Sequence, residues 1–115
     1  MAQTTTLILL PQTIWTSGTS AASGTAQKAA GYYLGNKNLQ TVTWDFTSVN
    51  CTMIIQASLA TTPSSDNDWF NVYVKNTGGI LTERSFTNIT GNFTWIRCIV
   101  NPFEQGVIQS VKVSY

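Results

Sequence analysis

The chain has 115 residues, 43% of them hydrophobic, which excludes a compositionally disordered polypeptide and fits one domain with its own core. Only 10% are charged and the net charge is +1, so no long-range field steers the chain to nucleic acid or to an anionic membrane. There is no histidine, which removes the commonest general base and the commonest metal ligand.

Met1-Ala2-Gln3 carries no basic n-region, and the apolar run Leu7-Ile8-Leu9-Leu10 ends at Pro11. That run is too short for a signal h-region or a membrane span, so the expectation is a protein made and kept in a cytoplasm. Residues 4–16 read as a strand interrupted at Pro11, which suits an edge or a bulge. The Ser/Gly/Ala-rich stretch 17–25 reads as a flexible loop, 26–30 as one helical turn, and 31–35 as a short strand.

From residue 39 the alternation is clean. Residues 39–47 put Val42, Trp44 and Phe46 on one face, and residues 51–60 do the same with Met53, Ile55, Ala57 and Leu59. A Pro/Ser/Asp/Asn loop fills 61–68. Residues 69–75 set Phe70, Val72 and Val74 against Asn71, Tyr73 and Lys75. Asn76-Thr77-Gly78-Gly79 is a hairpin signal, followed by strands at 80–87 and 92–100. Asn101 to Gly106 reads as the last turn. The strand 107–115 carries Val107, Val111, Val113 and Tyr115 on one face, with Gln109 breaking the set. The predicted core is Val42, Trp44, Phe46, Met53, Ile55, Leu59, Phe70, Val72, Val74, Trp95, Val111 and Val113.

Seven or eight short strands with regularly spaced turns predict an all-β fold: a two-sheet antiparallel β-sandwich of jelly-roll-like type. The division expected is an N-terminal strand or arm with a flexible loop at 1–30, and the sandwich domain at 31–115. Cys51 and Cys98 are expected to be free thiols, as suits a cytoplasmic origin. The rival is an immunoglobulin-like bridge around Trp69, but the corner tyrosine two residues before Cys98 is absent.

No catalytic set is legible. There is no Ser/His/Asp or Cys/His combination and no glycine-rich phosphate loop, so neither an enzyme nor a cofactor is expected. Ser65-Asp66-Asn67-Asp68 gathers hard oxygens but lacks the later bidentate Glu of a calcium loop, so a polar turn is expected and no metal. Trp15, Tyr32, Tyr33 and Trp69 could form the aromatic face of a sugar site. Subunit contact is the stronger expectation for them, because aromatics are enriched at interfaces. Arg97 shares a strand face with Trp95, where it could stack on that ring, bridge Glu83 or another subunit, or snorkel to water.

One resemblance extends over about two thirds of the chain, from Leu39 to Tyr115, with Tyr32-Tyr33 ahead of it. Gln40-Thr41-Val42-Thr43-Trp44 begins it, and Ile55-Gln56-Ala57-Ser58-Leu59-Ala60-Thr61-Thr62-Pro63 continues it. Asp68-Trp69-Phe70-Asn71-Val72 and Thr90-Gly91-Asn92-Phe93-Thr94-Trp95-Ile96-Arg97 complete it. In these stretches the chain resembles a family of small virion structural proteins of tailed phages, especially phages of marine bacteria. The resemblance implies a β-sandwich in the capsid, neck, tail or fibre, assembled in the host cytoplasm.

Read together, these features predict a non-enzymatic structural protein of a phage particle, a capsid decoration, neck or tail component. Its partners would be copies of itself and other virion proteins, with no nucleic acid and no membrane. The alternative is a host-glycan-binding module of a tail fibre or adhesin. The candidate assembly interface is Leu7, Ile8, Leu9, Leu10, Trp15, Tyr32 and Tyr33. Leu7 to Leu10 are chosen because a strand must send consecutive apolar side chains to both faces, one of which then needs cover. The three aromatics are chosen because they have no clear apolar stripe around them and such rings are enriched at interfaces.

Overall fold

A computed structural model of the chain describes residues 5–18, 20–32 and 38–115. Among the described residues, eight antiparallel strands form one continuous sheet: β1 (Thr6–Leu10), β2 (Thr13–Ile14), β3 (Ala22–Ser23), β4 (Gln27–Lys28), β5 (Leu39–Ser58), β6 (Trp69–Asn76), β7 (Leu81–Thr90) and β8 (Trp95–Ser114). One short 3-10 turn covers Asp66–Asp68. The fold is all-β, as the strand-rich pattern predicts, and sandwich-like.

The architecture rests on two strands of 20 residues each, β5 and β8, which pair along almost their whole length. Each was expected as two strands. The gap left at residues 48–50 and the turn expected at Asn101 to Gly106 are bends within continuous strands. Register shifts gather there, between Asp45 and Met53 on β5. Such bulges bend and twist a strand without ending it. In one half, the start of β5 pairs with β7, and the end of β8 takes β1 and β2 on its other edge. In the other half, the end of β5 pairs with β6, and the start of β8 takes β3 and β4. The two halves fold over one another with a single core between them.

Both open sides of this folded sheet are closed by specific contacts. On one side Trp44 of β5 stacks on Tyr73 of β6 at 5.7 Å, and its indole N–H donates to Glu83 Oε1 of β7 at 3.0 Å. Lys75 Nζ lies 3.3 Å from the same Glu83 oxygen. The Trp44 N–H, and after it the Lys75 ammonium, hold the Glu83 carboxyl below its ordinary value, against the opposing effect of lost hydration. On the other side the Tyr115 hydroxyl donates to the Lys28 carbonyl at 2.8 Å, and the Gln27 amide donates to the Ile8 carbonyl at 3.2 Å. Gln40 is fully buried and fully used. Its amide nitrogen donates to the Ile89 carbonyl at 2.7 Å, and its oxygen accepts from the Ala30 N–H at 3.3 Å.

Val42, Trp44, Phe46, Met53, Ile55, Val111 and Val113 are buried, as their alternation predicts. Four other core expectations are corrected. Leu59 lies one residue past the end of β5 and is exposed. Phe70 pairs with the buried Ala57 but lies one residue from the start of β6 and is exposed. Val74 is exposed because a register shift between Ile55 and Gln56 leaves Val72 as the extra residue on β6. That shift turns Tyr73 and Lys75 to the side of Ile55 and Met53, so beyond Val72 the inward phase is the opposite of the one expected. Trp95 is only half-buried, because the inner face of β8 is Ile96, Cys98 and Val100. Further along β8, Gln109 is an extra residue, so Ile108 and Val111 both turn inward and Val107 turns out. The five residues 26–30 form no helical turn. They contain β4, and β3 lies within the supposed loop 17–25. The strand expected at 31–35 falls largely outside the described residues, and Gly31 and Tyr32 form a turn.

Cys51 and Cys98 are free thiols within the core. Burial pushes the Cys98 thiol up to about 12, with Cys51 adding to it, and the Cys51 thiol up to about 11. Both stay protonated at neutral pH, and the thiol rather than the thiolate is a poor nucleophile. Their pKa values are raised in the folded state, so the unfolded chain loses these protons first as pH rises. Their contribution to stability is whole below about pH 9 and is lost as pH climbs through the folded values.

The bend depends on Gly106, which has φ +100 and lies against Ser48, itself at φ 51. A Cβ on Gly106 would overlap the backbone of Ser48 and Val49. Gly106→Ala should therefore lower stability by about 2–4 kcal/mol, from left-handed strain and overpacking together. The urea midpoint should fall while the m-value stays constant. A midpoint equal to the parent's would show that the two long strands do not need this glycine to bend.

Candidate functional site

The candidate interface residues divide sharply once placed. Leu9 and Leu10 are 0% and 2% exposed, and Leu7 packs against the same core. A bulge on β1 explains this. Leu7 pairs with Val113 and Leu10 with Val111, and Leu9 is the extra residue between. Three of the four consecutive apolar side chains thereby turn inward, where strict alternation would send two. Ile8 alone points out, opposite Lys112, and is 51% exposed. Trp15 is half-buried beside the core, with its backbone N–H on the Gly106 carbonyl. Its indole N–H is the one buried side-chain polar atom without a partner among the described residues. Tyr32 is half-buried against Trp95, edge to face at 5.5 Å. Tyr33 lies outside the described residues.

Ile8 belongs to a cross-strand row on the outer face of one layer. Ile8 pairs with Lys112, Lys112 with Thr43, and Thr43 with Phe86, which is exposed. Four strands at about 4.8 Å spacing make this row roughly 14 Å wide. Around it the face is Ser, Thr and one ion pair, Arg84 with Asp45 at 3.2 Å. The exposed Ile14 continues the apolar component on β2, with Val107 and Thr47 beside it in register. Among the described residues, β7 pairs only with β5. Phe86 thus sits near the edge of the sheet.

A second site lies on the other layer, at the starts of β4, β6 and β8. The Arg97 guanidinium stacks over the Trp69 ring at 4.2 Å. Its Nε donates to Gln56 Oε1 at 2.8 Å, and Nη2 lies 3.5 Å from Asp66. Arg97 therefore stacks on Trp69 and not on Trp95, and it bridges Asp66 and not Glu83. The Trp95 indole N–H donates to the Thr61 carbonyl at 2.9 Å, tying the 59–68 loop down beside the ring. Asp68 organises that loop, accepting from the backbone N–H groups of Ser64 at 2.8 Å and Ser65 at 3.3 Å. This is the polar turn expected of the Ser65–Asp68 stretch. Sequence reading named Trp69 and Arg97 separately. Their stacking depends on β6 and β8 flanking β5 in the same layer, and no local pattern carries that.

Compared with known proteins, the chain matches no family model, and no curated protein matches it.

Proposed function

We propose that this chain is a non-enzymatic assembly protein, a structural component of a phage particle of the capsid-decoration, neck or tail kind. The observation that carries the assembly reading is the Ile8–Lys112–Thr43–Phe86 row. It sets exposed apolar side chains at the flanks of a broad Ser/Thr face, on a chain with only 10% charge. Such a face desolvates cheaply, and a net charge of +1 gives little repulsion between copies. The partner best suited to it is a second copy of the same chain, or a neighbouring virion protein with a similar low-charge face. The phage assignment draws on the likeness of Gln40–Trp44, Ile55–Pro63, Asp68–Val72 and Thr90–Arg97 to tailed-phage virion proteins.

The test joins solution and particle. The parent chain should self-associate by light scattering as its concentration rises, and its peptides should be present in purified particles from a lysate. Ile8→Lys combined with Phe86→Lys should leave the melting temperature close to the parent's, because both side chains face solvent in the monomer. The same pair should reduce self-association at least about tenfold, since two charges would be buried unpaired in the interface. A parent that stays monomeric and is absent from particles would refute the reading.

A further inference from the structure

The cluster around Trp69 has a shape and chemistry that the assembly reading does not use. Two small clefts adjoin there and share Ala26, Pro63 and Trp69. One, of about 170 Å³, is otherwise lined by Thr62 and Trp95. The other, of about 310 Å³, adds Ser64, Ser65, Asp66 and Arg97. An apolar, aromatic wall thus meets a hydroxyl, carboxylate and guanidinium wall within one short site.

We propose that this double cleft binds a neutral pyranose sugar. A pyranose ring has a flat face of C–H groups and a rim of hydroxyls that both donate and accept. It requires an apolar surface beside fixed donors and fixed acceptors, which is the general design of a small-ligand site. The Trp69 and Trp95 rings supply the surface. The Trp95 N–H is already bonded to Thr61, so that ring brings carbon surface to the cleft. Arg97 supplies donors. Its Nε and Nη2 are engaged, while among the described residues Nη1 has no protein acceptor. Asp66 supplies the acceptor, and its side chain is 99% exposed to whatever enters.

Charge selects the class of sugar. Asp66 already balances the guanidinium, so an anionic sugar or a phosphate gains no net attraction and meets a carboxylate. A proline-rich peptide also packs on tryptophan, but it needs an extended apolar groove. Here the clefts are short, and the second is lined largely by polar side chains. The walls are also formed in advance. Arg97 is held by Trp69 and Gln56, Gln56 donates to Asn71 at 2.9 Å, and Asp68 pins the loop. Little ordering is left for the ligand to induce.

The experiment uses the isolated chain and is independent of whether the chain assembles. The methyl glycosides of glucose, galactose, mannose and N-acetylglucosamine are titrated, with tryptophan emission and saturation-transfer NMR as readouts. At least one should bind saturably with a Kd of about 1 mM, the range of a single ring with few hydrogen bonds. Trp69→Ala and Asp66→Asn should each weaken it about tenfold or more. Trp15→Phe should leave it unchanged, and N-acetylneuraminic acid should not compete. Should Trp69→Ala fail to fold by circular dichroism, Asp66→Asn decides, because so exposed a side chain has no part in the core. Absence of saturable binding by every neutral glycoside up to about 50 mM overturns the proposal. So does an Asp66→Asn variant that binds as the parent does, or preferential binding of the acidic sugar or of a proline-rich peptide.

Discussion

Trp44→Ala should leave the chain unfolded, or on the edge of unfolding, at room temperature. The side chain is 3% exposed and lies where the two layers meet. Removing it opens a cavity, which for Trp or Phe to Ala costs about 3–5 kcal/mol. It also removes the stack on Tyr73 and the indole N–H that reaches Glu83. Lys75 and Glu83 then lose the ring beneath them, and Lys75 Nζ lies 5.9 Å from the centre of that ring. The whole stability of a small domain is roughly 5–15 kcal/mol, so this one change takes much of it. Thermal melting by circular dichroism checks it, with Trp95→Ala as the contrast. Trp95 is half-buried on an outer face, so its loss should cost clearly less. Equal melting temperatures for the two variants would mean that the assignment of inner and outer faces on β8 is wrong.

Removing residues 1–16 should likewise prevent folding, and for a related reason. β1 and β2 cover the edge of β8 from Val107 to Ser114. They bring Leu9 and Leu10 into the core at 0% and 2% exposure. Each buried leucine lost costs about 2–5 kcal/mol, so the pair alone rivals the stability of the domain. The single variant Leu9→Ala should already lower the melting temperature by roughly 10 °C or more. NMR dispersion of the truncated chain gives the answer directly. A well-dispersed spectrum would show that the sandwich closes without these strands, and would leave the segment free to act as a docking arm.

How much of this was legible in the sequence depends on where the chain keeps strict alternation. Between Gln40 and Phe46 every second residue is buried, and the core face could be read off. On β8 every residue of Trp95–Val100 but Arg97 is apolar, so hydrophobic alternation alone could not choose between Trp95 and Ile96. Arg97, on the Trp95 face, was the usable signal, since an arginine marks the side that reaches water. The bulges at Leu9, Val72 and Gln109 each reset the phase by one residue, and only Gln109 leaves a polar mark in an apolar series. The bend at Gly106 looked like a turn because glycine and asparagine are turn residues, although the two strands pair on either side of it, at Val107 and at Gln105, across a register shift. For the sugar cleft, the residue types were visible but their meeting was not. Ala26, Pro63, Trp69 and Arg97 come from four separate stretches that only the strand order brings together.

That strand order also sets when the molecule can form during its synthesis. β8 is the last strand, and β1 to β5 all pair with it. Its final residues, Val113 and Ser114, complete the ladder to β1 at the opposite end of the sequence. A nascent chain that has not yet emerged through Ser114 has its first strands made but no edge to receive them. Its leucines and isoleucines wait in water or on a chaperone. Folding therefore waits for the whole of β8, and contacts of such long sequence separation make it a slow event.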